Sequence, residues 1–142
     1  MTLKKKHFKM CEIQANLFYL SAIEGYDSVE FIEKFMHSKT CAEIDNANDF
    51  DEYKDEHQVL KMFLSEVSLN KGCSIFDSNI MRWIGHIYRF WNFYTGETSE
   101  AVYKISGANT MRLYYIPCHL MSPPAVIDKL KEAHLYRQKK NN

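Results

Sequence analysis

Apolar positions recur every three or four residues along most of the chain. That spacing places them on one side of a helix rather than on alternate faces of a strand. Leu3, Phe8, Ile13, Leu17, Leu20 and Ile23 predict a helix over 3–24 that stops at Gly25. Ser28 reads as the cap of a short helix whose inner stripe is Phe31, Ile32, Phe35 and Met36. Thr40 would cap another short turn reaching Ile44. Phe50, Tyr53, His57, Leu60, Phe63, Leu64 and Val67 predict a helix over 50–68, halted at Asn70, Lys71 and Gly72. Asp77 or Ser78 then caps a long aromatic helix that ends near Thr95, with Gly96 placed as its left-handed closing residue. Thr98 or Ser99 opens a short helix closed by Gly107, and 109–121 reads as another, broken or kinked at Pro117. Ser122 caps the last helix, Pro123 and Pro124 occupy its first turn, and Val126, Ile127 and Leu130 face inward. The expectation is an all-α protein: one helical bundle of about six to eight helices over 1–138, followed by a frayed basic tail at 139–142.

The aromatic helix carries the most specific pattern. At 100° per residue, Ile80, Ile84, Ile87 and Trp91 fall within about 60° of one another, with Tyr94 beside them. Arg82, His86, Arg89 and Phe93 fall within about 60° on the opposite side. This describes a wide buried face and a narrow basic stripe. Gly85 sits mid-helix at a cost of about 1 kcal/mol relative to alanine, which points to close approach of another backbone. The stripe has two readings. Its Arg and His could pair with acids elsewhere in the chain, as in a core helix, or they could meet an acidic partner protein. Direct nucleic-acid binding is disfavoured, because single-strand binders usually add net positive charge and this chain has 18 basic and 18 acidic residues.

Charge changes the picture once it is read by position. Residues 1–77 hold 9 Lys and 14 Asp/Glu, a balance of −5; residues 78–142 hold 9 Lys/Arg and 4 Asp/Glu, a balance of +5. The acidic excess centres on EIDNANDFDEYKDEH at 43–57. A calcium loop starting at Asp45 would need glycine at its sixth position, where Phe50 stands. The segment reads either as a solvated loop leading into a helix N-terminus, or as a negative surface in which Asp45, Asp49, Asp51, Glu52 and Asp55 fill a basic cleft on a partner. His37 and Cys41 could meet at helical spacing, but zinc needs three or four ligands, so neither a metal nor a cofactor is expected. Cys11, Cys41, Cys73 and Cys118 form no Cys-x-x-Cys pair and read as free thiols of a reducing cytoplasm. Lys4–Lys6 are followed by a polar, interrupted segment, so no leader is expected, and no apolar run reaches the roughly 18 residues of a membrane span.

Two segments resemble a family of small, uncharacterised helical bacterial proteins. The family pattern is W-x-G-x-x-Y-R-x-W, then Y-T-x-E-S-S-x-x-I-Y, then T-M-x-x-x-Y-x-x-x-H. It is matched here by Trp83, Gly85, Tyr88, Arg89 and Trp91, by Tyr94, Thr95, Glu97, Ser99 and Tyr103, and by Thr110, Met111, Tyr115 and His119. The resemblance covers roughly 78–132 and departs from the pattern at Pro117–Cys118. Members lie near toxin–antitoxin-like or mobile-element genes, which implies an antitoxin-like role by association and brings no catalytic residues with it. The leading expectation is therefore a non-enzymatic binder that blocks a toxin or defence enzyme by occlusion; a phage-borne inhibitor of a host defence nuclease is a variant of the same idea, and a homodimer is a duller option. The alternative from another class is a small ribonuclease. Arg112 and His119 are spaced like the R-x4–6-H motif of HEPN-type enzymes, in which the His would move a ribose proton and the Arg would steady the phosphate.

Overall fold

The computed structural model describes residues 2–141. Among these residues the chain forms eight helices: α1 (Lys5–Ile23), α2 (Ser28–Met36), α3 (Lys39–Asp45), α4 (Glu56–Glu66), α5 (Ser78–Thr95), α6 (Ser99–Ile105), α7 (Ala108–Cys118) and α8 (Pro123–Asn141). The only strand-like feature among them is an isolated antiparallel bridge between Tyr26 and Lys71. The all-α bundle expected from periodicity is thus the fold.

α1 and α5 form the centre. His7 meets Phe93, Phe8 meets Phe90, Gln14 meets Gly85 and Arg89, and Tyr19 meets Arg82. Contacts that run in opposite order along the two helices make the pair antiparallel. A Cβ on Gly85 would stand 2.6 Å from the Gln14 carbonyl oxygen and 2.8 Å from Phe18 Cγ, so only glycine allows the two backbones this close. Beside this crossing, Phe18, Phe31, Phe35 and Phe63 form an aromatic cluster, edge to face at 5.3–5.5 Å. That cluster joins α1, α2 and α4. Trp91 is fully buried, and its Nε1 donates to Glu97 Oε1 at 2.9 Å; the same oxygen accepts from Lys131 Nζ at 2.6 Å. One carboxylate therefore ties α5 to α8.

Local capping explains most helix boundaries, with shifts of one or two residues. Asp77 is the cap of α5, accepting from the backbone of Asn79 and Ile80, and Gly96 closes that helix at φ +78°. α2 is capped by Asp27 rather than Ser28, whose hydroxyl instead accepts from Phe76 N in the α4–α5 connection. α3 is capped by Ser38 rather than Thr40; Thr40 donates to Glu66. The helix expected over 50–68 begins only after Asp55, which caps α4 through Gln58 N. Phe50 and Tyr53 are buried, yet they anchor a turn, not a helix. Gly107 opens α7 instead of only closing α6. Pro117 lies inside α7, one residue before its end, so the missing N–H shortens the helix without breaking it earlier. Residues 139–141 form the exposed last turn of α8; residue 142 lies outside the described residues.

The inner face of α1 is also different from the expected stripe. Ile13 and Leu17 are buried with Met10, Cys11 and Phe18, while Phe8 and Ile23 are exposed. Polar Gln14 points inward because both ends of its amide find partners there, as described next.

Candidate functional site

The basic stripe of α5 divides into two parts. Its second half is interior. Arg89 is 0 % exposed, and its Nη1 lies 2.6 Å from Oδ1 of Asp45, whose side chain is 6 % exposed. Nε of Arg89 donates to Gln14 Oε1 at 2.8 Å, Nη1 also to Asn92 Oδ1 at 3.1 Å, and Nη2 to Cys41 Sγ at 3.3 Å. Asp45 in turn accepts from the backbone N and the hydroxyl of Ser99, both at 2.7 Å. Gln14 Nε2 donates to the Gly85 carbonyl. This network joins α1, α3, α5 and α6 around one buried ion pair. Burial pushes the Cys11 thiol up to about 12 and the Cys41 thiol to about 11, so both are neutral, and Cys41 offers Arg89 a thiol sulfur and not a thiolate. Phe93 is buried too, against His7 and Phe50. Arg89, Phe93 and Asp45 are therefore not part of a wet face. The physical reason is that α1, α3 and α6 pack over this part of α5, and the acceptors they bring satisfy a guanidinium that is removed from water.

The first half of the stripe does reach solvent. Arg82 is exposed, with its guanidinium 4.1 Å over the Tyr19 ring, and His86 is half-buried. Both line a cleft of about 670 Å³ between α1, α5 and α7. Its aromatic wall is Trp83 and Tyr115, set edge to face at 5.6 Å. His119 stacks on Tyr115 at 4.4 Å, and its Nδ1 donates to the Tyr115 carbonyl oxygen at 2.8 Å. A carbonyl can only accept, so this bond puts the proton on Nδ1 and leaves the Nε2 lone pair free. Glu12 is the one acid in the cleft.

Burial lowers the pKa of His86 below the ordinary histidine value, and Glu12 opposes this only in part. A depressed folded pKa means that stability is present above about 6.5 and is lost as pH falls through the folded value, because the unfolded chain takes up the proton first. His7 is lowered too, by burial and then by Lys6 and Lys4, and acts in the same direction. His86→Gln should therefore shrink, without abolishing, the drop in unfolding free energy between pH 7 and pH 5.5, measured by urea titration.

The remaining candidates are dispersed. Asp49, Asp51 and Glu52 are exposed in the turn before α4, while Asp55 is held as that helix's cap. The turn lies against α1, where Lys6 Nζ donates to the Asn48 carbonyl at 2.6 Å. Arg112 lies with its guanidinium 4.8 Å over Phe76, while His119 stacks on Tyr115. His37 ends α2 and Cys41 lies in α3, so one helix does not present both. No group of three or more His, Cys, Asp or Glu among the described residues could hold a metal ion. No described helix is long and apolar enough to cross a membrane.

One surface had no counterpart in the sequence reading. On α7 and just beyond it, Leu113 is 73 % exposed, Ile116 75 % and Leu120 91 %. At 100° per residue Leu113 and Ile116 fall within about 60°, opposite buried Met111 and Cys118, and Leu120 follows in the turn after the helix. Tyr136 and Leu135 of α8 are exposed as well. α7 is thus apolar on two opposite sides. The spacing 113, 116, 120 was present in the sequence, but only the buried positions of Met111 and Cys118 make it outward.

No family model, no curated protein and no solved structure matches the chain.

Proposed function

We propose that this protein is a non-enzymatic binding module that acts by covering part of another protein. The observation that carries this reading is the outward ridge of Leu113, Ile116 and Leu120. Scattered exposed apolar side chains are ordinary, but a ridge on successive turns is the kind of surface that marks a protein interface. Beside Tyr114 of α7, α8 brings Lys129 and Arg137 together with Glu132, and its last turn carries Lys139 and Lys140, so a partner with an apolar groove and a mainly acidic rim fits. The resemblance of 78–132 to helical proteins found near toxin–antitoxin-like genes supports a toxin or a defence enzyme as that partner, neutralised by occlusion. Exposed Asp49, Asp51 and Glu52 could add electrostatic steering. RNA cleavage by Arg112 and His119 is the weaker reading, because the Arg112 guanidinium is engaged with Phe76.

The test is a single charge on the ridge. Ile116→Glu should leave the far-UV spectrum and melting temperature unchanged, since the side chain is exposed. It should weaken the stoichiometric complex recovered from the native host by about 30-fold or more, the scale of a central interface residue. Equal recovery of the partner by both forms would remove the ridge as the interface. Light scattering on the isolated protein separates this from self-association: a dimer lost in Ile116→Glu would make the partner a second copy.

A further inference from the structure

The cleft between α1, α5 and α7 lies apart from the outward ridge, and its contents suit a small molecule better than a protein. Its volume, about 670 Å³, falls within the usual range for small-ligand sites. Its polar side chains can both donate and accept, around one permanent cation. Arg82 is a permanent cation whose guanidinium is held in place over Tyr19. Asn16 and Asn79 add amide donors. His86 lines the cleft with Glu12 of α1, is stacked at 6.5 Å on Phe90, and makes no side-chain hydrogen bond among the described residues. His119 presents a free Nε2. The one carboxylate is Glu12, and beside these groups stand the rings of Trp83 and Tyr115, edge to face at 5.6 Å.

We propose that this cleft binds a nucleoside monophosphate, with the base on the Trp83 ring, Tyr115 bordering it at a right angle to that ring, and the phosphate at Arg82. The aromatic wall suits the face of a base, which stacks whatever its identity. The guanidinium suits the phosphate, which it can meet with two parallel N–H donors. Glu12 supplies the one carboxylate to accept from a ring N–H and an amino group together, which guanine presents as two adjacent donors. A longer nucleic acid is not implied, because the chain has no net positive charge to hold a run of phosphates.

The chain's two tryptophans make the test direct. Trp83 lines the cleft, whereas Trp91 is fully buried. Titration with 5′-GMP should give saturable fluorescence quenching. Trp83→Phe, which keeps an aromatic wall, should abolish the quenching while calorimetry still detects binding. Arg82→Gln should weaken binding at least tenfold, as should replacing GMP by guanosine or by inorganic phosphate alone. Arg82 is exposed, so the variant should melt like the parent; should it not, Asn79→Leu, at another exposed lining position, carries the same expectation. Ile116→Glu should leave GMP affinity unchanged, which separates this site from the ridge. Absence of saturable binding by fluorescence and calorimetry up to about 10 mM GMP, or wild-type affinity in Arg82→Gln, would overturn the proposal.

Discussion

Arg89→Ala is expected to lower the free energy of unfolding by about 3–5 kcal/mol, the scale for breaking a buried ion pair by removing one partner. That would be a large share of the 5–15 kcal/mol typical of a domain, and guanidinium titration would read it directly. The cause is less the lost attraction than what remains. Asp45 would keep its charge in the interior with only Ser99 to donate to it, and Gln14 Oε1 and Cys41 Sγ would lose their donor. Asp45→Asn should cost a similar amount from the other side, since an amide would face the guanidinium and the Ser99 N–H and O–H with one oxygen fewer. The double variant should lose clearly less than the sum of the two, because the penalty of an orphaned charge arises once. An additive result would mean that the two side chains do not act as a unit. A loss under 1 kcal/mol for Arg89→Ala would mean that water reaches the site.

Gly85→Ala should also be strongly destabilising, against the rule that alanine favours a helix by about 1 kcal/mol over glycine. The new methyl would lie 2.6 Å from a backbone carbonyl oxygen of α1 and 2.8 Å from the Phe18 ring. A flexible side-chain tip could move aside at little cost; a helix backbone cannot. Relief requires α1 and α5 to separate along the contact that also holds the Gln14–Gly85 hydrogen bond and the Arg89 network. Overpacking costs typically 1–3 kcal/mol and occasionally more; the clash with backbone puts this site at the upper end, and the propensity gain of about 1 kcal/mol offsets only part of it. Thermal unfolding of the variant checks it, and a melting temperature at or above that of the parent would show that the helices are not in close register at this point.

These two positions illustrate how unevenly the molecule can be read from its residues. Gly85 was legible, because a glycine in a helix interior is unfavourable unless something needs the space. The ends of α5 were legible as well, since Asp77 and Gly96 act on backbone groups within three or four residues. The same holds for the inner stripes of α2 and α8, where every expected apolar residue is buried. The starts of α2 and α3 slipped because two adjacent or nearby residues could cap and local sequence does not choose between them. Asp27 won over Ser28 once the Ser28 hydroxyl was taken by Phe76, 48 residues away. Residues 50–55 had helical spacing but became a turn, because Phe50 and Tyr53 could be buried from a loop lying on α1.

The candidate site was less legible than the fold. Arg89 sits on the same arc of α5 as Arg82 and His86, and nothing local separates them. What separates them is that Asp45, Cys41 and Gln14 converge on Arg89 from sequence separations of 44 to 75 residues, while Arg82 meets only Tyr19 and open cleft. His119 was singled out for its spacing from Arg112, yet its neighbours are the Tyr115 ring and carbonyl and, across the cleft, helix α5.

What the residues alone determined is the helical class, the main boundaries and the need for a close α1–α5 crossing, because periodicity, caps and a misplaced glycine act within a few positions of themselves. The tertiary structure decided which charges are interior, which face of α7 is outward and which histidines share a cleft. Those outcomes depend on groups that come from distant parts of the chain, and burial of a charge or exposure of a leucine is set by what packs beside it rather than by its own side chain.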